Sequence, residues 1–309
     1  MKDVILGTDW FSDCDDAVAV RLLVNFHRSR HIRLLGVCIN ACLPESAASL
    51  DAFLRCSGTA VPIALDRTAT NFEGHGSYQH NLTDLPSEIS ANDQAEEPVA
   101  FYRRLLAAAE EPVDIMEIGF PQVLSALLAS SADEYSPLSG CELVRSKVRH
   151  LWIMAGKWDE DGGREHNFCN TRVASEAAAH LCRDWSAPIT FLGFEVGVSV
   201  ISARNIPADD PLHQVLIDHG SPDGRCSWDP MLIMLGVDGD PEHAGYRCVR
   251  GRAEVNAADG ANRFYPDAGG PHRYVVKMYP DEFYADEIDR CLAVTNLFVR
   301  NKIQKGGAE

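Results

Sequence analysis

Val4-Ile5-Leu6-Gly7-Thr8-Asp9-Trp10-Phe11-Ser12-Asp13-Cys14-Asp15-Asp16-Ala17 starts on three apolar residues, crosses an acidic turn and enters a helical pattern that continues to Asn25. A short apolar run bounded by turn residues reads as a buried strand, and the run that follows has helical length and spacing. The same unit recurs: residues 32–37 read as a strand and 44–54 as a helix, then 113–118 with 121–128, and 148–154 with 173–182. A further strand is expected at 188–192. Past residue 245 the pattern changes, with strands at 246–255 and 274–278 and a closing helix at 281–299.

Strands that alternate with helices imply a mostly parallel sheet covered on both faces. The expected class is therefore α/β, a Rossmann-like central sheet flanked by helices on both sides. No Ser/Gly/Pro linker and no internal repeat divides the chain, so residues 1–309 are expected to form one domain. In such sheets ligands sit at the carboxyl ends of the strands, which is where the acidic turn falls. The polar stretch 71–97, rich in His, Gly, Asn and Asp, is longer than most connections and is expected to serve the site.

Composition narrows the function. A chain of 309 residues with 46% hydrophobic and 24% charged residues has the make-up of an ordinary globular protein. Its formal charge of −17, from 28 Lys plus Arg against 45 Asp plus Glu, argues against nucleic acid, whose phosphates need a basic footprint. Asp3 and Asp9 interrupt the opening residues before a signal-peptide core forms, and no window approaches the roughly 20 apolar residues of a membrane helix. The ten cysteines contain no Cys-x-x-Cys pair, so buried reduced thiols in the cytoplasm are expected rather than a zinc knuckle or a disulfide scaffold.

Asp9, Asp13, Asp15 and Asp16 place four carboxylates within eight positions at a strand-to-helix junction. One Asp there reads as a helix cap. Four repel one another unless a cation sits among them, and oxygen ligands in this number suit Ca²⁺ or Mg²⁺. A dehalogenase-type phosphatase wants Asp-x-Asp directly after the strand, but position 11 is Phe. An EF-hand loop begun at Asp9 would put Cys14 where Gly belongs and Val20 where Glu belongs.

Asp9 with Asp15-Asp16-Ala17 resembles the Asp-x-x-x-Asp-Asp-Ala signature of the inosine–uridine-preferring nucleoside hydrolases, with two extra residues in the loop. Five more segments follow in the family's order. Leu34-Leu35-Gly36 leading to Asn40 is similar to the second strand and its ribose-contacting Asn. Ile118-Gly119-Phe120-Pro121-Gln122 is similar to the Gly-Pro-Leu-Thr-Asn turn, and Met154-Ala155-Gly156 to the Met-Gly-Gly strand end. Glu165-His166-Asn167-Phe168 resembles Glu-Phe-Asn, and Trp228-Asp229-Pro230 resembles His-Asp-Pro.

The resemblance implies a Ca²⁺-dependent N-ribohydrolase that acts on a nucleoside or related riboside and assembles as a homodimer or homotetramer. Asp9, Asp16, Asp229 and the backbone carbonyl of Gln122 would hold the ion, and Asp9 would take the proton of the attacking water. Asp15, Asn40, Glu165 and Asn167 would bind the ribose hydroxyls. Asp13 either replaces Asp15 or lies behind it.

Each residue also has a plainer reading. Asp229 suits the cap of a helix through Met231-Leu232-Ile233-Met234. Glu165 and Asn167 suit a solvated loop with Asp159, Glu160, Asp161 and Arg164, and Asn40 suits a turn. Trp228 departs from the family, because an indole cannot protonate a leaving base as His does. It either stacks on the nucleobase or packs beneath a loop. His75, His80 and His166 are the loop histidines to test as its replacement acid, and His75 is expected to contact substrate. Trp10, Phe11 and Glu195 are expected to narrow the pocket. A nucleoside- or ribose-binding protein that keeps the metal site without turnover is the alternative function, and another metal-dependent hydrolase on the same sheet a third.

Overall fold

In the computed structural model residues 1–305 are described, with side chains to residue 293. The strands are β1 (Lys2–Thr8), β2 (Ile32–Ile39), β3 (Ile63–Leu65), β4 (Val113–Glu117), β5 (Val148–Met154), β6 (Ile189–Leu192), β7 (Ile201–Ser202), β8 (Arg225–Cys226), β9 (Tyr246–Val255), β10 (Asn262–Pro266) and β11 (His272–Lys277). Among the described residues nine of them form one sheet in the order β10-β9-β11-β6-β5-β4-β1-β2-β3, while β7 and β8 make a small separate pair. Every pairing from β11 through β6 to β3 is parallel, and only β9 runs antiparallel to its neighbours β10 and β11. This is the expected mostly parallel α/β sheet.

The strands are apolar on both faces because both faces are covered. In β1, Val4 and Leu6 pack with the helices Asp15–Arg28 and Trp228–Asp238 on one side, while Ile5 faces the helices Pro98–Ala108 and Gln122–Ala129 on the other. The chain leaves β1 toward β2 and β3 on one flank, then returns to build β4, β5 and β6 on the other. The order therefore reverses between β1 and β4, and a crevice opens at the carboxyl ends of those two strands.

Most elements fall where the periodicity places them. The helix expected at 44–54 runs Ser46–Cys56, and the closing helix, expected to 299, extends over Asp281–Lys305. The stretch 71–97 is mostly irregular but holds the helix Gln79–Leu82 and a 3₁₀ turn at Asn92–Gln94. It is tied down at its end, where Leu65 N donates to Glu96 O at 3.1 Å and Glu96 N to Ile63 O at 3.0 Å. All ten cysteines are unpaired. Only Cys14, Cys38 and Cys182 are fully buried, so the expectation of buried thiols holds for these three, and Cys56 is exposed. Among the described residues no helix is long and apolar enough to cross a membrane.

Candidate active site

The acidic turn is shaped by one strained residue. Trp10 has φ 46°, a left-handed conformation that a bulky side chain adopts only when its surroundings impose it. Here the indole is fully buried, its Nε1 donates to Ser49 Oγ at 2.9 Å, and its ring meets Phe53 and Tyr78 at 5.5 and 5.4 Å. Gln79 Nε2 donates to the carbonyls of Trp10 and Phe11, at 2.9 and 2.7 Å, so the 71–97 stretch clamps the turn from outside. Trp10 and Phe11 therefore do not narrow the pocket. Trp10 is an anchor in the core, and Phe11 packs with Ala41 and Phe120. The apolar bulk of both rings gains more by leaving water than by lining an acidic cavity.

With the turn so held, its carboxylates face a cavity of about 190 Å³ at the carboxyl edge of the sheet. Asp9, Asp13, Asp15, Asp16, Glu165, Asn167, Trp228 and Asp229 line it, joined by Ser12, Ile118, Met154, His166 and Phe194. Asp15, Asp16 and Asp229 offer oxygens that lie within 4.8 Å of one another and are buried. Thr8 Oγ1 and Trp10 N donate to Asp16, and Asp229 N donates to Asp15 Oδ2 at 3.2 Å. Burial raises the pKa of Asp15, Asp16 and Asp229 well above the carboxylate range, and each is pushed further by its acidic neighbours. Asp9 is raised to about 7, mainly by burial, with the charges of Asp15, Asp13 and Glu117 adding to it against a hydrogen bond with Asp16. Buried acids crowded this closely, all presenting hard oxygen, are a donor set that suits a hard divalent cation.

Asp13 is set apart from this group. Arg225 Nε donates to Asp13 Oδ1 at 2.9 Å and its Nη2 to Oδ2 at 2.5 Å, while His219 Nε2 lies 3.6 Å away. Burial pushes the Asp13 carboxyl up, but Arg225 more than offsets it and the net shift is down. Asp15 thus groups with Asp16 and Asp229, while Asp13, which also lines the cavity, pairs with Arg225 of β8.

Glu165 caps the short helix His166–Cys169, with Oε1 accepting from Asn167 N at 2.7 Å and Oε2 from Gly156 N at 2.9 Å. Burial raises it to about 7. Asn167 Nδ2 donates to Met154 O at 2.9 Å, so the end of β5 and the turn at Gly156 orient the two residues. Neither sits in a solvated loop. Trp228 does two things: it lines the cavity, and it packs on Phe194 at 5.5 Å while donating Nε1 to Phe194 O at 2.8 Å. Asp229 lies in the first turn of the helix Trp228–Asp238, whose cap position belongs to Ser227.

Four expected residues are not among those lining the cavity. His75 is exposed on the 71–97 stretch. Glu195 is half-buried beside β6 and accepts from Trp158 N at 3.2 Å. Gln122 turns its side chain to Asn40 O at 2.5 Å. Asn40 is fully buried with its amide committed, Nδ2 to Glu117 Oε1 at 2.7 Å and Oδ1 accepting from Phe120 N at 2.9 Å.

Glu117 is the residue that the pattern reading missed, although an acid ending an apolar strand is a visible signal. It is fully buried, it also accepts from Gly119 N at 3.0 Å, and its Oε2 has no partner. A Cβ on Gly7 would overlap its carboxylate, so β1 needs glycine at that position. Burial raises Glu117 to about 8, against the pull of Gly119 and Asn40. An acid whose folded pKa exceeds its unfolded value holds more protons folded than unfolded. Its stabilising contribution is therefore full below about 4.5 and lost as pH rises toward 8. Chelated protein is expected to lose a few kcal/mol of stability between pH 5 and 8, and Glu117→Gln to flatten that fall. Thermal melts across this range would show it, and an unchanged slope in the variant would refute the assignment.

No family model and no curated protein matches the chain by sequence. Its fold is nevertheless shared with solved structures. An inosine–uridine preferring nucleoside hydrolase from Bacillus anthracis aligns with TM-score 0.69 and 17% identity, over 94% of this chain and 99% of that one. A purine-preferring ribonucleoside hydrolase from Gardnerella vaginalis aligns with TM-score 0.71 and 15% identity, over 96% and 100%. The type III effector XopQ, solved with adenosine diphosphate ribose, aligns with TM-score 0.66 and 15% identity, over 95% and 94%.

Proposed function

We propose that this chain, built on the fold of the nucleoside hydrolases, is a divergent member of that family and hydrolyses the N-glycosidic bond of a ribonucleoside or related riboside, folding as one domain. The observation that carries the reading is the cavity at the sheet's carboxyl edge, where buried carboxylates and Asn167 converge from three separate segments, the 9–16 turn, 165–167 and Asp229. The likeness to nucleoside hydrolases over nearly the whole chain supports it.

The donor set fits a resident divalent cation, and Ca²⁺ is the ion assigned here. Asp16 and Asp229 would hold it with Asp9, and Asp15 lies close enough to share it, whereas Gln122 does not reach the cavity. When bound, such an ion orients vicinal hydroxyls and makes water more acidic. Asp9 accepts the proton of the attacking water. Asp15, Glu165 and Asn167 bind the ribose hydroxyls. At about 190 Å³ the cavity is smaller than the ~300–1,000 Å³ common for whole ligands, so it encloses the ribosyl end and leaves the base against Trp228 and Phe194. The aromatic pair offers that base a flat apolar wall.

The test is release of free ribose from a panel of purine and pyrimidine nucleosides, with added calcium and after chelation. Release that depends on calcium is the expected result, and melting should show calcium stabilising the chelated protein by about 2.7 kcal/mol at a hundredfold excess over Kd. Calcium-dependent nucleoside binding without release would select a binding protein instead. Release from a non-nucleoside glycoside alone would select another hydrolase of this fold.

A further inference from the structure

We propose that His166 supplies the hydrogen bond to the departing base that Trp228 cannot, through an Nδ1–H donor whose tautomer is set by Asn170 and the backbone of Glu73. The inference rests on the hydrolase reading above. His166 is exposed at the rim of the cavity and lines it.

The tautomer follows from a chain of hydrogen bonds. Glu73 N donates to Asn170 Oδ1 at 2.8 Å, and Asn170 Nδ2 donates to Glu73 O at 2.8 Å. These two contacts leave the Asn170 amide one orientation, because a flipped amide would set N–H against N–H and oxygen against oxygen. In that orientation Nδ2 also points at His166 Nε2, 3.0 Å away. Nε2 must therefore accept, and a neutral imidazole that accepts at Nε2 carries its proton on Nδ1. Phe120, stacked on Phe72 at 3.9 Å, braces the imidazole with ring centroids 5.7 Å apart.

Other cavity donors, Ser12 apart, are spent. Trp228 Nε1 donates to Phe194 O, and Asn167 Nδ2 to Met154 O. Asp13, Asp15, Asp16 and Asp229 are acceptors when charged. Among the described residues Nδ1 of His166 has no acceptor in the protein, and the Ser12 hydroxyl is the other donor left at the cavity. In the reaction a C1′–O bond forms from water as the C1′–N bond breaks, and that bond's electron pair moves onto the base. His166 stabilises the charge gathering there by hydrogen bonding to a ring nitrogen or carbonyl. A neutral imidazole keeps its own proton, so the base is finally protonated by the proton that water loses. The sum is addition of one water.

The experiment compares a natural nucleoside with 4-nitrophenyl riboside, whose leaving group carries its own charge and needs no donor. In His166→Ala the nucleoside kcat should fall about 10²-fold, the scale of losing one preorganised donor, while nitrophenyl riboside kcat falls less than about threefold. His166→Asn, which returns an N–H near the Nδ1 position, should recover part of the loss, whereas Ser12→Ala should not reproduce it. Nitrogen NMR of labelled histidine should report the Nδ1–H form in wild type and a shift toward Nε2–H in Asn170→Ala. Equal loss on both substrates, no loss on either, or an Nε2–H wild type would overturn the assignment. If wild type cleaves neither substrate, the hydrolase reading falls along with it. A wild type that is active while His166→Ala is unaffected removes His166 alone.

Discussion

Asp9→Asn is expected to lower kcat for ribose release by about 10³- to 10⁴-fold, at the upper end of what a positioned general base supplies, because under the proposed function the same change would also remove a ligand of the cation. Asp9 follows directly on β1, and Gly119 packs so closely beneath its backbone that a Cβ there would collide with Asp9 N. The carboxylate is therefore rigidly presented. Burial holds it at about 7, so it is available as a base only where that pKa and the cation allow. The substitution keeps volume and removes one charge from a crowded group, so chelated Asp9→Asn should melt no lower than wild type. Activity and melting together separate loss of chemistry from loss of fold. Activity within tenfold of wild type would place the base elsewhere.

Removing the 2′-hydroxyl of the substrate is expected to be about as damaging. The cavity presents Asp15, Glu165 and Asn167, which are 3%, 4% and 5% exposed. Groups this buried gain from a ribose hydroxyl and lose when it is missing, since water does not readily replace it. Sites built to bind a hydroxyl reject the analogue without it by about 10⁴-fold or more. The ratio of kcat/KM for a ribonucleoside and its 2′-deoxy counterpart measures this. A ratio below about ten would show that the hydroxyl is not read here. Glu165→Gln should lower the ratio, because its oxygens are held by Asn167 N and Gly156 N and point from a fixed helix cap.

Much of the architecture was legible in the chain. Residues 148–154 and 246–255 read as strands and are β5 and β9 to the residue, because turn residues such as Gly156, Gly245 and Asn256 set these runs off locally. β3 was not seen, being three residues held between β2 and Glu96 rather than by its own pattern. The helix Pro98–Ala108 was missed behind the polar stretch, although Glu97 caps it by accepting from Ala100 N. Trp10 was misjudged for a different reason. An aromatic beside an acid cluster suggests a pocket wall, and only the location of Phe53, Tyr78 and Ser49 shows that the ring turns inward.

The sequence alone determined the class of fold, the acidic strand end and the excess of carboxylates over any local counter-charge, since hydrophobic period and residue chemistry act over a few positions. Partnership was decided by tertiary structure. Arg225, 212 residues from Asp13, takes that carboxylate out of the group formed by Asp15, Asp16 and Asp229. Asn40 is drawn to Glu117, and His166 receives its tautomer from Asn170, itself held by Glu73 97 positions earlier. Hydrogen bonds and Coulomb attraction depend on distance and angle in space. Which acid is paired, which is crowded and which nitrogen carries a proton therefore become defined only when the sheet brings these segments to one edge.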